Sequence, residues 1–386
     1  MDQATPKSVG DRQAKAFRFF DNREKYLMFV TTCSEKEEVA ARIGRQMSEL
    51  QPGGAALRVF DAGVGDGTVM SHVLRELHCR LPHVPFLVVG KEISMEDVRL
   101  TLEKLPDRFH EHPEMVVVLT NLYYSEAPWL TPNSPAAARR LAWKTVALEG
   151  DSSHGFGKQI RALRPFLAES WQVKKSAATG NPLYESPAVL VLYRRDRQFI
   201  LDPVLPQVGG YREGFDLVIA SQPYRSRMPA PFKVKNVIAP LSRALAPGGQ
   251  LITIQSYGED PGMEIINEIW PGAQPFRTGR RELVEAARQT LDQPGDQDLE
   301  LSALADPDSI FRYHLHTLPN EIGLSIGTST LLAAWNAAIY VAQIEDDRLG
   351  EAMAGAGYLE ATRTVLARRG GLWFNDESFL VRRKRA

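Results

Sequence analysis

Three glycines at alternate positions follow a short apolar segment, and their spacing is the first feature that indicates chemistry. The segment Leu57–Phe60 ends at Asp61, and Gly63, Gly65 and Gly67 follow it. Glycine accepts positive φ and lets a ligand approach the backbone without a Cβ in the way. A glycine cluster between a strand and a helix therefore predicts a loop that holds a small molecule against its main-chain amides.

The spacing of the glycines favours some candidate ligands of this loop over others. A dinucleotide-binding loop, G-x-G-x-x-G, would place its last glycine at position 68, which is Thr68 here. A phosphate-binding loop, G-x-x-x-x-G-K-[ST], does not occur in the sequence, because the nearest stretch, GDSSHGFGK, has its lysine misplaced. The pattern disfavours nicotinamide, flavin and nucleoside triphosphate ligands.

The elements that must position this loop alternate between strand and helix. The predicted strands are 57–61, 86–91, 114–120, 215–221 and 246–256, and the predicted helices between them include 67–80, 95–105 and the stretch VKNVIAPLSRAL. Such alternation predicts an α/β fold with a mostly parallel sheet and helices on its faces. Ligands of such sheets gather at the carboxyl ends of the strands.

The rest of the chain adds to this core. Residues 1–55 are predicted to form an N-terminal helical cap, with helices between 14 and 49, and residues 56–386 form the core domain. Residues 126–210 interrupt the alternation as an α/β insertion, with a helix at 157–171 and a β-hairpin in AVLVLYRRDRQFILDPVLP. Residues 261–370 add mainly helices, with a strand predicted in IFRYHLHTL, and residues 371–384 form a closing strand.

Three features together resemble the class I S-adenosylmethionine-dependent methyltransferases. They are the D-x-G-x-G-x-G pattern after the first strand, the acid Glu92 after the second, and the helix, Pro-Gly-Gly and strand arrangement at 246–256. The similarity covers roughly residues 57–256, apart from the insertion. It implies a Rossmann-like, seven-stranded, mostly parallel sheet with an antiparallel last strand. It also implies S-adenosyl-L-methionine as the methyl donor and S-adenosyl-L-homocysteine as the product.

The resemblance assigns roles to the residues around the loop. Glu92 would accept hydrogen bonds from both ribose hydroxyls, and Asp61 would face the ammonium group of the cofactor. Asn121 and Ser125, just beyond the third strand, would flank the adenine. The predicted cofactor-binding residues are Asp61, Gly63, Gly65, Gly67, Glu92, Asn121, Ser125 and Ser221.

Two further resemblances concern the methyl acceptor. The fourth strand ends in ASQPYR, which is similar to the N-P-P-Y tetrad of methyltransferases that act on amino groups, although Ser221 and Gln222 replace Asn and Pro. YLMFVTTCSEKEEV near the amino end and LWFNDESFLV near the carboxyl end resemble segments of histamine N-methyltransferase and its relatives. This resemblance implies catalytic roles for Glu35, Gln222 and Asn375, with Asp376 as the alternative to Asn375.

These residue types suit an amine acceptor. A carboxylate such as Glu35 attracts a cationic amine and can receive its proton, and Gln222 and Asn375 can orient it by hydrogen bonds. The predicted acceptor-binding residues are Tyr26, Tyr224 and Asp376. The alternative for Glu35 is a place on the solvated face of a helix, beside Glu37 and Glu38.

Composition excludes several other classes of function. The chain carries 46 Lys and Arg against 47 Asp and Glu, so no overall field draws it to a polyanion. Two cysteines are too few for a disulfide framework, His314 and His316 lack further ligands for a metal, and no apolar run is long enough to span a membrane. We expect a cytoplasmic monomer or homodimer, without metal, that acts on a small molecule. The alternatives are N-methylation of a protein or nucleic acid and a non-catalytic S-adenosylmethionine-binding module.

Overall fold

The computed structural model of the 386-residue chain describes residues 23–48, 50, 52–176, 182–316, 326–355 and 357–385. The helices predicted from residue 14 onward lie partly outside these ranges. Within them, the cap forms two helices that break at Cys33 and Ser34, as the sequence predicted.

The helices and strands are numbered in chain order. The α-helices are α1 (Arg23–Thr32), α2 (Glu35–Met47), α3 (Thr68–Arg80), α4 (Met95–Glu111), α5 (Pro135–Ala138), α6 (Ser153–Arg161), α7 (Arg164–Ser170), α8 (Gln198–Leu201), α9 (Ala230–Lys233), α10 (Ala239–Arg243), α11 (Pro261–Ile269), α12 (Arg280–Thr290), α13 (Asp306–Ser309), α14 (Thr328–Val341), α15 (Asp346–Met353) and α16 (Gly357–Arg369). The strands are β1 (Leu57–Asp61), β2 (Phe86–Lys91), β3 (Met115–Thr120), β4 (Ala142–Leu148), β5 (Val173–Lys175), β6 (Pro182–Tyr184), β7 (Ala188–Arg194), β8 (Phe215–Ser221), β9 (Leu245–Ser256), β10 (Leu299–Ser302), β11 (Ile310–His314) and β12 (Trp373–Arg383). A π-helical stretch, Val234–Ile238, joins α9 to α10.

One twisted sheet organises the molecule. Its strand order is β10-β12-β9-β8-β1-β2-β3-β7-β4, and β11 also pairs with β12. The neighbours β3, β2, β1, β8 and β9 run parallel, whereas β12 lies antiparallel between β9 and the two short strands β10 and β11. This order confirms the predicted Rossmann-like fold with an antiparallel closing strand.

The insertion enlarges the sheet beyond the seven strands that the resemblance implied. Strand β7 pairs antiparallel with β3, and β4 adds a parallel edge strand beyond it, so the sheet has ten strands in the described part of the chain. The predicted β-hairpin is wrong, because only its first apolar run is a strand and the second is the short helix α8. The helix predicted at 157–171 is divided into α6 and α7, and Pro165 lies in the first turn of α7.

Two hydrophobic layers cover the sheet, and a third cluster holds the cap. Helices α2, α3 and α4 with α6 and α7 of the insertion pack on one face, and α9, α10 and α12 with the remainder of the insertion pack on the other. Alternate side chains of β2 enter the two layers, with Phe86 and Val88 in the first and Leu87 and Val89 in the second. The third cluster joins α1 to α14 and to β11 and β12, so the cap is fixed beside the carboxyl end of β8.

Gly67 closes the glycine loop for a structural reason. It is the N-cap of α3 with a φ of 79°, and its amide donates to the Val64 carbonyl at 2.9 Å. A Cβ at this position would lie 3.0 Å from the Cα of Thr101 in α4. The residue therefore needs both positive φ and the absence of a side chain.

We expect Gly67→Ala to lower the free energy of unfolding by about 1–3 kcal/mol, because of strained φ and the contact with the Thr101 backbone. Urea unfolding followed by circular dichroism measures this change. Gly63→Ala is the matched control, since a Cβ there meets no atom within 4 Å, and its effect should stay within about 0.5 kcal/mol. Equal stability of the two variants would contradict this account of the loop.

Candidate functional site

Glu92 ties the glycine loop to the end of β2. Its Oε2 accepts a hydrogen bond from the Gly65 amide at 3.0 Å, and its Oε1 accepts from the amides of Ile93 at 2.8 Å and Ser94 at 2.9 Å. A carboxylate offers about four lone-pair positions, so acceptor capacity remains on the cleft side. Burial raises the pKa of Glu92, and the ammonium of Lys91 lowers it in part.

Asp61 stabilises the same loop from its buried side. Its side chain is 3% exposed, and Oδ1 accepts from the Gly63 amide at 3.1 Å. Burial raises the pKa of Asp61 to about 6, against the lowering effect of the Gly63 amide. The structure places Asp61 behind the loop, so it contacts the cleft through Gly63.

A cleft of about 810 Å³ opens at the carboxyl ends of β1, β2, β3 and β8. This is the edge at which the sequence predicted a ligand. Of the residues predicted from the sequence, those that line the cleft are Tyr26, Gly63, Gly65, Glu92, Ser125, Ser221, Gln222 and Tyr224. Asp61, Gly67 and Asn121 are not part of its described wall.

Asn121 has a structural role instead of the predicted place beside the adenine. Its Nδ2 donates to the carbonyls of Ser170 and Ser186, and its Oδ1 accepts from the Ala188 amide at 2.8 Å. The side chain is fully buried. Because β7 begins beside the end of β3, the amide of Asn121 satisfies the backbone of the insertion and does not reach the cleft.

Among the cleft-wall residues not chosen from the sequence are Lys91, Tyr123 and Tyr124, although the stretch YYSE was an alternative flank for the adenine. The Tyr124 hydroxyl donates to the Pro223 carbonyl at 2.8 Å, which joins the loop after β3 to the loop after β8. Tyr123 stacks on Tyr184 of the insertion, with ring centroids 4.6 Å apart. The signal available in the sequence was the Tyr-Tyr pair directly after β3.

A second, smaller cavity of about 50 Å³ adjoins the cleft beneath the cap. Lys36, Gln222 and Tyr340 line both spaces. Glu35, at the start of α2, is 3% exposed and lies in the wall of the small cavity. The structure thus brings Glu35 and Gln222 together, and it places Glu35 away from the solvated face that was the alternative. We call this space the acid cavity.

Gln222 reaches the acid cavity because its backbone is strained. It has a φ of 48°, a value that residues other than glycine rarely adopt. Its Nε2 donates to the Ser256 Oγ at 3.2 Å and to the Asp376 Oδ2 at 3.3 Å. Strain of this kind persists where the surrounding contacts hold it, which is frequent at functional sites.

Asp376, and not Asn375, belongs to this cluster. Neighbouring residues of a strand point to opposite faces, and the Asn375 Nδ2 donates to the carbonyls of Gly258 and Glu259 instead. The structure therefore does not bring the side chain of Asn375 to Glu35 and Gln222. The alternative position in the sequence-based assignment, Asp376, takes its place.

Two predicted aromatic residues have hydrogen-bonded hydroxyls. The Tyr224 hydroxyl donates to the Gln255 Oε1 at 3.0 Å, and the Lys233 ammonium lies 4.7 Å from the centre of the Tyr224 ring. The Tyr26 hydroxyl donates to the Asp66 Oδ1 at 3.3 Å. Both rings line the cleft, but neither hydroxyl is free for a ligand without breaking these bonds.

Proteins similar to this chain occur among solved structures, and not among family models or curated proteins. No protein-family model matches the chain, and no curated protein matches it. Among solved structures, the chain is similar to a protein from Galdieria sulphuraria described as a sarcosine dimethylglycine methyltransferase (9% identity, TM-score 0.35, 96% of this chain and 92% of that one). It is also similar to geranyl diphosphate methyltransferase in complex with SAM (13%, 0.32, 89% and 85%) and to the plantazolicin methyltransferase in complex with SAH (8%, 0.31, 95% and 91%). The fold assignment depends on the strand order of the chain itself.

No group of three or more His, Cys, Asp or Glu side chains among the described residues is arranged to hold a metal ion. None of the helices described is both long and apolar enough to cross a membrane.

Two carboxyl groups and one ammonium lie at the acid cavity. The Lys36 Nζ lies 2.9 Å from the Glu35 Oε2 and pairs with it, and within the described residues the Asp376 Oδ1 has no hydrogen-bond partner. Burial raises the pKa of Asp376 well above its usual range, and the charges of Glu35 and Asp260 raise it further. Burial lowers the pKa of Lys36, but Glu35 more than reverses this effect. One ammonium thus faces two buried carboxyl groups.

The raised pKa of Asp376 predicts a pH-dependent stability. The folded state holds this proton more tightly than the unfolded state, so stability falls as pH rises from the ordinary aspartate pKa through the raised value. The cost is about 1.4 kcal/mol for each unit of the shift. We expect Asp376→Asn to gain stability relative to the wild type as pH rises from 5 to 8, measured by urea unfolding.

The exposed Asp347 provides the control. Asp347→Asn should keep a constant difference from the wild type over this pH range. A constant difference for Asp376→Asn as well would show that Asp376 is charged at no cost in the fold.

Proposed function

We propose that this protein is an S-adenosylmethionine-dependent methyltransferase that methylates an amine nitrogen of a small molecule. The observation that carries the proposal is that Glu35 and Gln222 line the acid cavity, with Asp376 bonded to Gln222, directly beside the cleft that contains the glycine loop. A binding module without turnover has no need of a second cavity that adjoins the first.

The cleft suits the cofactor in three respects. The loop leaves open space at Gly63, where main chain can meet a ligand. Glu92 keeps acceptor capacity for ribose hydroxyls after its three main-chain bonds. Ser125 and Tyr123 lie beyond β3 at the cleft wall, where the resemblance expects adenine.

The acid cavity suits the charged end of an amine. Its volume of about 50 Å³ admits only a group a few water molecules in size, so the remainder of the acceptor would lie in the cleft. Phe29, Tyr313 and Tyr340 line it, and aromatic faces attract cations by about 0.5–2 kcal/mol. The Glu35 carboxylate in the wall and the unpartnered Asp376 Oδ1 beside it favour a cation over a neutral group.

The residues of the cavity then have defined tasks. Bound S-adenosylmethionine supplies a sulfonium methyl group, which the lone pair of the amine takes while the sulfur keeps the electrons of the broken bond. Glu35 accepts the proton that the amine must lose, and the Gln222 amide orients the nitrogen. Alignment of the nitrogen with the methyl group is the main contribution of such a site to the rate.

Glu92→Gln tests the cofactor assignment. Loss of a charged acceptor for the ribose hydroxyls should weaken S-adenosylhomocysteine binding by about ten- to a hundredfold, as a hydrogen bond to a charged group is worth about 1.5–3 kcal/mol. Isothermal titration calorimetry measures the affinity, and thermal unfolding checks the fold. Glu103→Gln, in an exposed part of α4, should bind like the wild type. Normal affinity of Glu92→Gln would refute the assignment.

Glu35→Gln tests the acceptor assignment. A panel of primary and secondary amines with labelled S-adenosylmethionine identifies a substrate by methyl transfer. We expect Glu35→Gln to lower kcat/KM for that amine about ten- to a thousandfold, because it removes both charge attraction and the proton acceptor. Its affinity for S-adenosylhomocysteine should not change.

Glu37→Gln is the matched control, since Glu37 is exposed on the same helix. It should leave kcat/KM within about twofold of the wild type. An amine turned over equally well by Glu35→Gln and Glu37→Gln would place the acceptor elsewhere. Methylation of hydroxyl or carboxyl compounds alone would refute the amine proposal and leave the methyltransferase assignment standing.

A further inference from the structure

Lys91 is a cation in the cleft wall that the proposed function does not use. It follows Leu87 and Val89 on the face of β2 that meets α9, α10 and α12, whereas Glu92 lies on the opposite face with the glycine loop. Lys91 therefore lines the part of the cleft on the α9 side, although Glu92 belongs to the same cleft. We call this part the lysine arm.

The ammonium of Lys91 has no anionic partner among the described residues. Its one polar contact there is the face of the Tyr124 ring, whose centre lies 4.8 Å from Nζ. The neighbouring Glu92 carboxylate is occupied by three main-chain amides. Burial lowers the pKa of Lys91, and Glu92 only partly offsets this effect.

Two other cations of the cleft, Arg23 and Lys36, each have an anionic partner. Arg23 lies 3.3 Å from Glu96 and 3.3 Å from Asp97, and Lys36 lies 2.9 Å from Glu35. A partly buried ammonium without such a partner is costly unless an anion completes it. An anionic group of a ligand would supply the missing acceptor.

The walls of the lysine arm define the rest of that ligand. Apolar side chains line the same cleft as Lys91, among them Pro182, Leu183, Met228, Phe232 and Val237. Phe232 is 40% exposed, so the cleft is open on this side. A ligand with an apolar or aromatic body and a single anionic end matches this distribution.

We propose that Lys91 binds the carboxylate of an apolar or aromatic acid, other than the cofactor, in the lysine arm. The binding step is independent of methyl transfer. If the proposed function also holds, the acceptor carries a carboxylate in addition to its amine, with the amine in the acid cavity.

Binding of simple probes to the full chain tests the proposal. The probes are 3-phenylpropanoate and its neutral amide, titrated by calorimetry or NMR with and without S-adenosylhomocysteine. We expect the wild type to prefer the carboxylate by about tenfold or more, as expected for a charge-assisted hydrogen bond. Lys91→Met should abolish this preference, and Lys91→Arg should retain most of it.

Lys144→Met is the matched control. Lys144 also lies over an aromatic ring, 5.4 Å from the centre of Phe166, but it is exposed on β4 and outside the cleft wall. It should keep the wild-type preference for the carboxylate. A wild type without preference, or a preference that survives in Lys91→Met, would overturn the proposal.

A second experiment tests whether Lys91 binds the carboxylate of the cofactor instead. S-adenosylhomocysteine and its decarboxylated analogue are titrated into the wild type and Lys91→Met. We expect the substitution to change both affinities by less than about twofold. A selective loss of about tenfold for S-adenosylhomocysteine would assign Lys91 to the cofactor and overturn the proposal. Failure of methyl transfer with any amine, in contrast, would affect only the proposed function.

Discussion

The antiparallel insertion of β12 between β9 and β11 is the constraint on which the acid cavity depends. Its register places Asp376 opposite Ser256 at the end of β9, one strand away from Gln222. The same strand pairs with β11, whose last residue, His314, exchanges hydrogen bonds with Ser34 directly before Glu35. One strand thus joins the cap, the carboxyl-terminal segment and the central sheet around a single cavity.

The end of strand β2 directs two neighbouring side chains to different parts of the cleft on the cofactor side. Its last residue, Lys91, and the residue after it, Glu92, point to opposite faces because side chains alternate along an extended chain. Glu92 binds the amide of Gly65, and Lys91 lies over the ring of Tyr124. Tyr124 in turn bonds to Pro223 beyond β8. Two adjacent residues therefore serve two different parts of the cleft.

The sequence predicted the parts of this structure that depend on local pattern. The glycine loop, the strands of the parallel core and the closing strand all carry strong periodic or turn signals, and each lies where it was expected. Asn375 and Asp376 differ by a single position, and only the pairing of β12 decides which one faces Gln222. The place of Asn121 depends on the insertion strand β7, which has no local signal for pairing with β3. Long-range pairing, rather than propensity, set the limit of prediction.

The buried charges of the acid cavity indicate a function, because they lower the stability of the fold. Two buried carboxyl groups share one ammonium, and replacing such groups by apolar residues often stabilises a protein. The strained φ of Gln222 adds a further cost at the same place. Both unfavourable features meet where the cap joins the end of β8. A cationic ligand bound there reverses the electrostatic part of that cost, which is the physical reason to expect binding at this cavity.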